Sequence, residues 1–289
     1  MKIAMIHWMR EEPLATTVER LSRCGYDALE INGSPERYEP ADVRSLLDRH
    51  GISLWGAVTL MEHGGKDMLH PDPYVRLGTQ AYLEDTVDLV EGSGGEVLCC
   101  VPSTIGKLAP LADEQSEWRW AVDGLQRLGA YAGERGVRIA IEPITRFETY
   151  FLNRCEQALR LADDVGLPNV GVCLDTYHMN MEEPDLLEAV RSAGDRLFDF
   201  HVADSDRRPA GMGSLDWREI LATLDEVGYE GFLTVEVEPP RDRSPLGRVP
   251  VVDGEFEANY YEEVVRQTAT HLRSLRLERD SEPVPVRER

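Results

Sequence analysis

Short apolar runs alternate with longer amphipathic stretches along most of this chain. Eight runs read as strands: Lys2–Trp8, Ala28–Asn32, Ser53–Thr59, Glu96–Val101, Arg138–Glu142, Val170–Asp175, Leu197–Ala203 and Phe232–Glu236. Most are near-continuous in Val, Ile, Leu and Ala, the pattern of strands buried on both faces. Between them lie helical patterns at Glu12–Cys24, Pro40–His50, Pro73–Val90, Asp113–Arg135, Arg154–Val165, Pro184–Ala193 and Asp216–Val227, with a last one at Glu257–Leu277. Asp72-Pro73, Glu183-Pro184 and Asp216-Trp217 read as helix starts. Gly25, Gly51, Gly136, Gly166 and Gly228 read as stops. Strict strand–helix alternation predicts a parallel sheet, and eight units are the number that closes a (β/α)8 barrel as one domain. A doubly wound open sheet is the rival, but no G-x-G-x-x-G follows the first strand.

A length of 289 residues suits such a barrel, which runs to about 250 residues. The expected domain is 1–277, with a Pro/Arg-rich loop at 238–256 and a loose tail at 278–289. The net charge of -22 repels phosphate backbones and anionic bilayers, so neither nucleic acid nor membrane is expected as a partner. The five cysteines, Cys24, Cys99, Cys100, Cys155 and Cys173, form no C-x-x-C pair. Cys99 and Cys100 should face opposite sides of a strand. A reduced, cytoplasmic setting follows, and the N-terminus offers no signal-peptide pattern.

Catalytic groups of a barrel sit where its strands end. The last four strands end in RIAIE, VGVCLD, LFDFH and FLTVE, offering Glu142, Asp175, His201 and Glu236. Taken singly, such a residue is more often a turn former or a helix cap, or for His201 a buried histidine bonded to backbone. Taken together, three carboxylates at one rim repel each other unless a cation joins them. Three oxygen donors and one imidazole favour Mn²⁺, with Co²⁺ or Mg²⁺ as alternatives. No cysteine stands at these ends, which argues against structural zinc.

Around these residues run IEPITRFETYFLN (Ile141–Asn153), LDTYHMNMEE (Leu174–Glu183), FHVADSDRRPAGMG (Phe200–Gly213) and GYEGFLTVE (Gly228–Glu236), with a weaker HPDPYVR (His70–Arg76). These motifs and their spacing resemble the xylose-isomerase-like barrel superfamily, and within it the ketose 3-epimerases of the D-tagatose and D-allulose group. The resemblance implies that Glu142, Asp175, His201 and Glu236 ligate the metal. It also implies that Glu142 and Glu236 form the acid/base pair, and that Glu148, His178 and Arg207 contact the sugar. The implied partner is a small sugar or a polyol-derived ketone, and a homo-oligomer is compatible with the family.

The chemistry suits these residue types. Inverting a carbon beside a ketone removes a proton from one face and returns one to the other, which needs two bases and a cation to stabilise the enediolate. The first half of the chain departs from the family. Strand one ends in His7-Trp8 where a tyrosine-type aromatic is expected, and the strand-four loop reads VPSTIGKL without a leading glycine. Trp8 is expected to pack, and His63 and Lys66 to be solvated. Rival activities on the same scaffold are dehydration of an inosose or dehydroshikimate and cleavage of oxidised C-glycosides. Glu148 favours the epimerase. Absence of a Lys/Arg cluster at the strand ends argues against a phosphosugar. A DNA-repair endonuclease of the superfamily needs many histidines and a basic face, against seven histidines and a charge of -22 here. A non-catalytic binding protein has no need of paired glutamates across a metal.

Overall fold

The computed structural model describes residues 2–7, 12–59, 61, 65–237 and 254–281, with side chains of the last helix described over 259–276. Eight parallel strands close into a barrel in sequence order. They are β1 (Lys2–Ile6), β2 (Ala28–Gly33), β3 (Ser53–Thr59), β4 (Val97–Cys100), β5 (Arg138–Ile141), β6 (Val170–Asp175), β7 (Leu197–Val202) and β8 (Phe232–Val235). Ring closure is made by β1 on β8, with Lys2 beside Phe232 and Met5 beside Val235. The periodicity thus predicts every strand, with ends displaced by a residue or two. Trp8, the predicted end of strand one, lies outside the described residues.

The helices are α1 (Leu14–Cys24), α2 (Pro40–His50), α3 (Pro73–Ser93), α4 (Glu114–Gly133), α5 (Cys155–Val165), α6 (Thr176–Glu182), α7 (Leu186–Ala193), α8 (Trp217–Glu226) and α9 (Gly254–Ser281). Two departures from expectation concern function. α6 falls where the sequence pattern predicts only a connection. It begins directly after β6 because the Asp175 side chain caps it, accepting from the Tyr177 amide at 2.9 Å. α7 begins after Asp185, whose side chain caps the Glu188 amide, rather than at Pro184. α9 also extends past both ends of its predicted span, taking in 254–256 of the expected loop and 278–281 of the expected tail. Residues 238–253 and 282–289 lie outside the described residues.

Two apolar layers result. A large one lies between the sheet and the helices. A small one fills the barrel interior with Ala4, Ile6, Ala28, Trp55, Val97, Cys99, Ala140, Cys173 and others. Cys99 belongs to the inner layer and Cys100 to the outer one, as adjacent strand residues must. All five cysteines are free. At Gly56 β3 passes close to β4, since a Cβ there would meet the Val97 carbonyl oxygen at 2.2 Å. Two register shifts interrupt the otherwise regular ladder, between Leu29 and Glu30 on β2 and between Val172 and Cys173 on β6. Among the described residues no helix is long and apolar enough to cross a membrane.

Candidate active site

Because β5 to β8 are consecutive around the ring, their ends converge on one sector of the rim. The parallel register sets Asp175 beside His201. Glu142 and Glu236 each follow the last residue of their strand, their amides held by the carbonyls of Cys100 and Val202 at 3.0 Å. The ligating atoms of Glu142, Asp175, His201 and Glu236 all lie within 4.8 Å of one another, and all four residues are buried. His201 Nδ1 lies 2.9 Å from Glu236 Oε2 and 3.6 Å from Glu142 Oε1. It is buried and makes no hydrogen bond. An orphaned ring nitrogen facing two carboxylates, with a third beside them, is a donor set that fits a divalent cation.

Across the ring, His201 Nε2 stands 3.1 Å from Asp199 Oδ2 and 3.3 Å from Glu30 Oε2. Burial disfavours the charged imidazole, yet interaction with Cys173, Asp199 and Glu30 outweighs burial and raises its pKa well above the usual range. Glu30 is completely buried, and burial together with Asp199 pushes its carboxyl up to about 8. Sequence reasoning singles out neither Glu30 nor Asp199. The signal is an acid inside each of two apolar runs, ALEING and LFDFH, but an isolated acid there does not say which way it faces.

Arg207 sits on the loop after β7 with a positive φ of 65°. Asp204 shapes that loop, accepting from the amides of Ser205, Gly211 and Leu215 and from Trp217 Nε1. Gly213 is required here, because a Cβ would meet Asp204 Oδ1 at 2.0 Å. The guanidinium pairs with Asp175 Oδ2 and Glu236 Oε1 and lies 4.6 Å from the centre of the Tyr177 ring. Burial pushes the Asp175 carboxyl up, but Arg207, His178 and His201 outweigh it and hold it at about 2.

His178, one turn into α6, is buried with Nε2 3.7 Å from Asp175 Oδ2, while its Nδ1 accepts from the Thr145 amide. Glu148 lies half-buried on the loop after β5, its carbonyl held by the Gly106 amide at 2.7 Å. Burial raises its carboxyl pKa against the pull of His178 and Arg207. His178, Glu148 and Arg207 thus surround the acidic cluster electrostatically.

Beyond the end of β1, the strand next to β8, His7 donates into a chain that runs through Thr17 to Glu12 and Arg20. Burial is the main cause that pushes its pKa down to about 4, so it is neutral at ordinary pH. Lys66 is half-buried with Nζ 3.6 Å from the Tyr82 ring centre, rather than solvated as expected. His63 lies outside the described residues. Clefts lined by Lys2, Gly228, Tyr229, Glu230 and Gly231 open at the other end of the barrel, the end that serves stability.

A buried acid–histidine cluster at the C-terminal rim of a closed eight-stranded barrel defines the class, and comparison supplies the family. Residues 18–272 match the family described as xylose isomerase-like TIM barrel, and the chain belongs to that family. It is 31% identical over 217 residues to an L-ribulose 3-epimerase of Methylomonas sp. (strain DH-1), covering 74% of this chain and 75% of that protein. It is 30% identical to a D-psicose 3-epimerase of Agrobacterium fabrum, covering 76% and 77%. The crystal structure of a D-allulose 3-epimerase from Methylomonas sp. in complex with D-allulose superposes with a TM-score of 0.81 at 25% identity, covering 95% of this chain and 96% of that one.

Proposed function

We propose that this chain is a divalent-metal-dependent ketose 3-epimerase, an isomerase that inverts the carbon next to a ketone in a free sugar. The observation that carries the reading is the pair Glu142 and Glu236. They come from strands β5 and β8, on either side of β6 and β7, and both approach His201 Nδ1. Relatives at 30% identity or more named as 3-epimerases favour this over dehydration of an inosose or dehydroshikimate.

Glu142, Asp175, His201 and Glu236 would hold the cation, Mn²⁺ before Co²⁺ or Mg²⁺. When bound, it stabilises negative charge developing on the substrate oxygens. The chain's own residues do the rest. One glutamate removes the proton from C3 and the other returns one from the opposite face. Glu148, His178 and Arg207 orient the carbonyl end. The Asp175 caged by Arg207 stays ionised and takes no part in proton transfer. With a pKa raised by burial, Glu148 is suited to share a proton with a sugar hydroxyl.

The test is incubation of ketoses and inososes with Mn²⁺-loaded protein in D₂O, followed by NMR. Deuterium at an inverted C3 is the expected result. Loss of water, or full turnover by thoroughly metal-stripped protein, would sink the reading.

A further inference from the structure

Barrel interiors of this kind are normally filled by branched apolar side chains. Just beneath the rim site this barrel instead carries Glu30, Cys99, Cys173 and Asp199, all with no exposure at all. The thiol sulfurs of Cys99 and Cys173, a carboxylate oxygen of Asp199 and a ring nitrogen of His201 lie within 4.8 Å of one another.

Two further observations set this cluster apart from chance. The register shifts leave an extra residue on β3, Trp55, and on β7, Phe198, the latter immediately before Asp199, and such irregularities re-aim the side chains that follow them. Both Glu30 carboxylate oxygens are buried without a hydrogen bond, and Oε2 approaches His201 Nε2 at 3.3 Å. An unpartnered carboxyl there is expensive unless something of positive charge is meant to stand near it.

We propose that Cys99, Cys173, Asp199 and His201 form a second cation site, built for a thiophilic divalent ion of the zinc class. Two sulfurs, one imidazole and one oxygen are the tetrahedral donor set such ions select, whereas Mn²⁺ and Mg²⁺ prefer oxygen. Asp199 is already turned the right way to be a ligand. Its Oδ1 accepts from Trp55 Nε1 and the Phe200 amide, both at 2.9 Å, leaving Oδ2 facing His201. Binding deprotonates both thiols and His201 Nε2 and releases those protons to solvent, with no change of oxidation state. The two sites share one ring, Nδ1 facing the rim and Nε2 facing inward, a coupling that rests on the rim reading above. They also touch directly, since Cys99 Sγ donates to Glu142 Oε2 at 3.4 Å.

The experiment titrates metal-stripped protein with Co²⁺ and follows visible and ultraviolet absorption. Cobalt among oxygens absorbs weakly; cobalt held by two thiolates absorbs strongly and adds a sulfur-to-metal charge-transfer band. The expected result is an intense, thiolate-type spectrum that accompanies a second equivalent. Cd²⁺ added to Mn²⁺-loaded protein should give its own charge-transfer band without releasing the Mn²⁺. Both bands should vanish in Cys99→Ser and in Cys173→Ser, each checked for folding by circular dichroism, and both should persist in Glu236→Gln. A weak oxygen-type spectrum throughout, whatever the number of equivalents bound, or bands that survive in the folded serine variants would overturn the proposal. Because the readout is absorption, the rim site and the epimerase reading stand or fall separately.

Discussion

Asp199 and His201 are two residues apart on β7, so both side chains enter the barrel, and Asp199 Oδ2 lies 3.1 Å from His201 Nε2. With a cation at the rim, this contact would keep a ring proton on Nε2 and leave the Nδ1 lone pair to the ion. Asp199→Asn should loosen that choice of tautomer. A rim metal should then bind roughly 10–100-fold more weakly, the usual loss when a partner behind a ligating histidine is changed. Mn²⁺ binding by calorimetry or electron paramagnetic resonance measures it; unchanged affinity would mean that Asp199 only fills space.

Glutamine at position 142 or 236 keeps an oxygen donor but cannot accept a proton. Glu142→Gln and Glu236→Gln should retain partial metal binding and lose about 10²–10⁴-fold in turnover. One of the two should still exchange the substrate proton with D₂O from a single face without inverting the carbon. His201→Ala should lose metal first and activity as a consequence. Near-normal epimerisation by both metal-loaded glutamine variants would defeat the two-base scheme.

Arg207 bridges Asp175 and Glu236, and its side chain is only 11% exposed. Removing one member of a buried ion pair commonly destabilises by about 3–5 kcal/mol, because the partner's charge is left uncompensated. Arg207→Met should therefore lower the melting temperature of metal-free protein sharply. Saturating Mn²⁺ should recover much of the loss, since the cation neutralises the same carboxylates. Equal destabilisation with and without metal, read by calorimetric melting, would show that the pairs and the cation do not compensate one another.

His7 links pH to stability. Its pKa falls from 6.5 unfolded to about 4 folded, burial being the largest cause. Between those values the unfolded chain binds the extra proton, so this contribution is complete above pH 6.5 and is lost as pH falls toward 4. The shift corresponds to at most roughly 3 kcal/mol. His7→Asn should flatten the acid limb, so the wild-type minus variant difference in urea unfolding should shrink from pH 7 to pH 4.5. Glu30 has the opposite sign, its raised pKa making it unfavourable as pH rises through 4.5 to 8, which is why the difference is the quantity to read. A wild-type minus variant difference that does not change with pH would remove His7 from this role.

The barrel is legible in the sequence because most strands are near-continuous apolar runs, and the four rim residues because β5 to β8 each lead into one acid or histidine at or just past their ends. What escapes is decided by contacts distant in sequence. α6 is hidden because TYHMNME is too short to show an amphipathic period, and its cap is the same Asp175 that ends the strand. Asp199 cannot be placed because the extra residue Phe198 on β7 breaks the alternation just before it, and Glu30 because nothing local says which face of β2 is the barrel interior. Arg207 is expected from the sequence to touch the sugar. Its pairing with Asp175 and Glu236 depends on a loop that Asp204 gathers from residues up to Trp217, which no local pattern reveals.

The pairing of β1 with β8 also has a meaning for synthesis. A growing chain makes β5, β6 and β7 before β8, and Glu236 arrives with the strand that must find the first one made. Until that seam forms, three of the rim donors face a gap. A cation held by these four residues would meet its full set of oxygens only once the ring is closed.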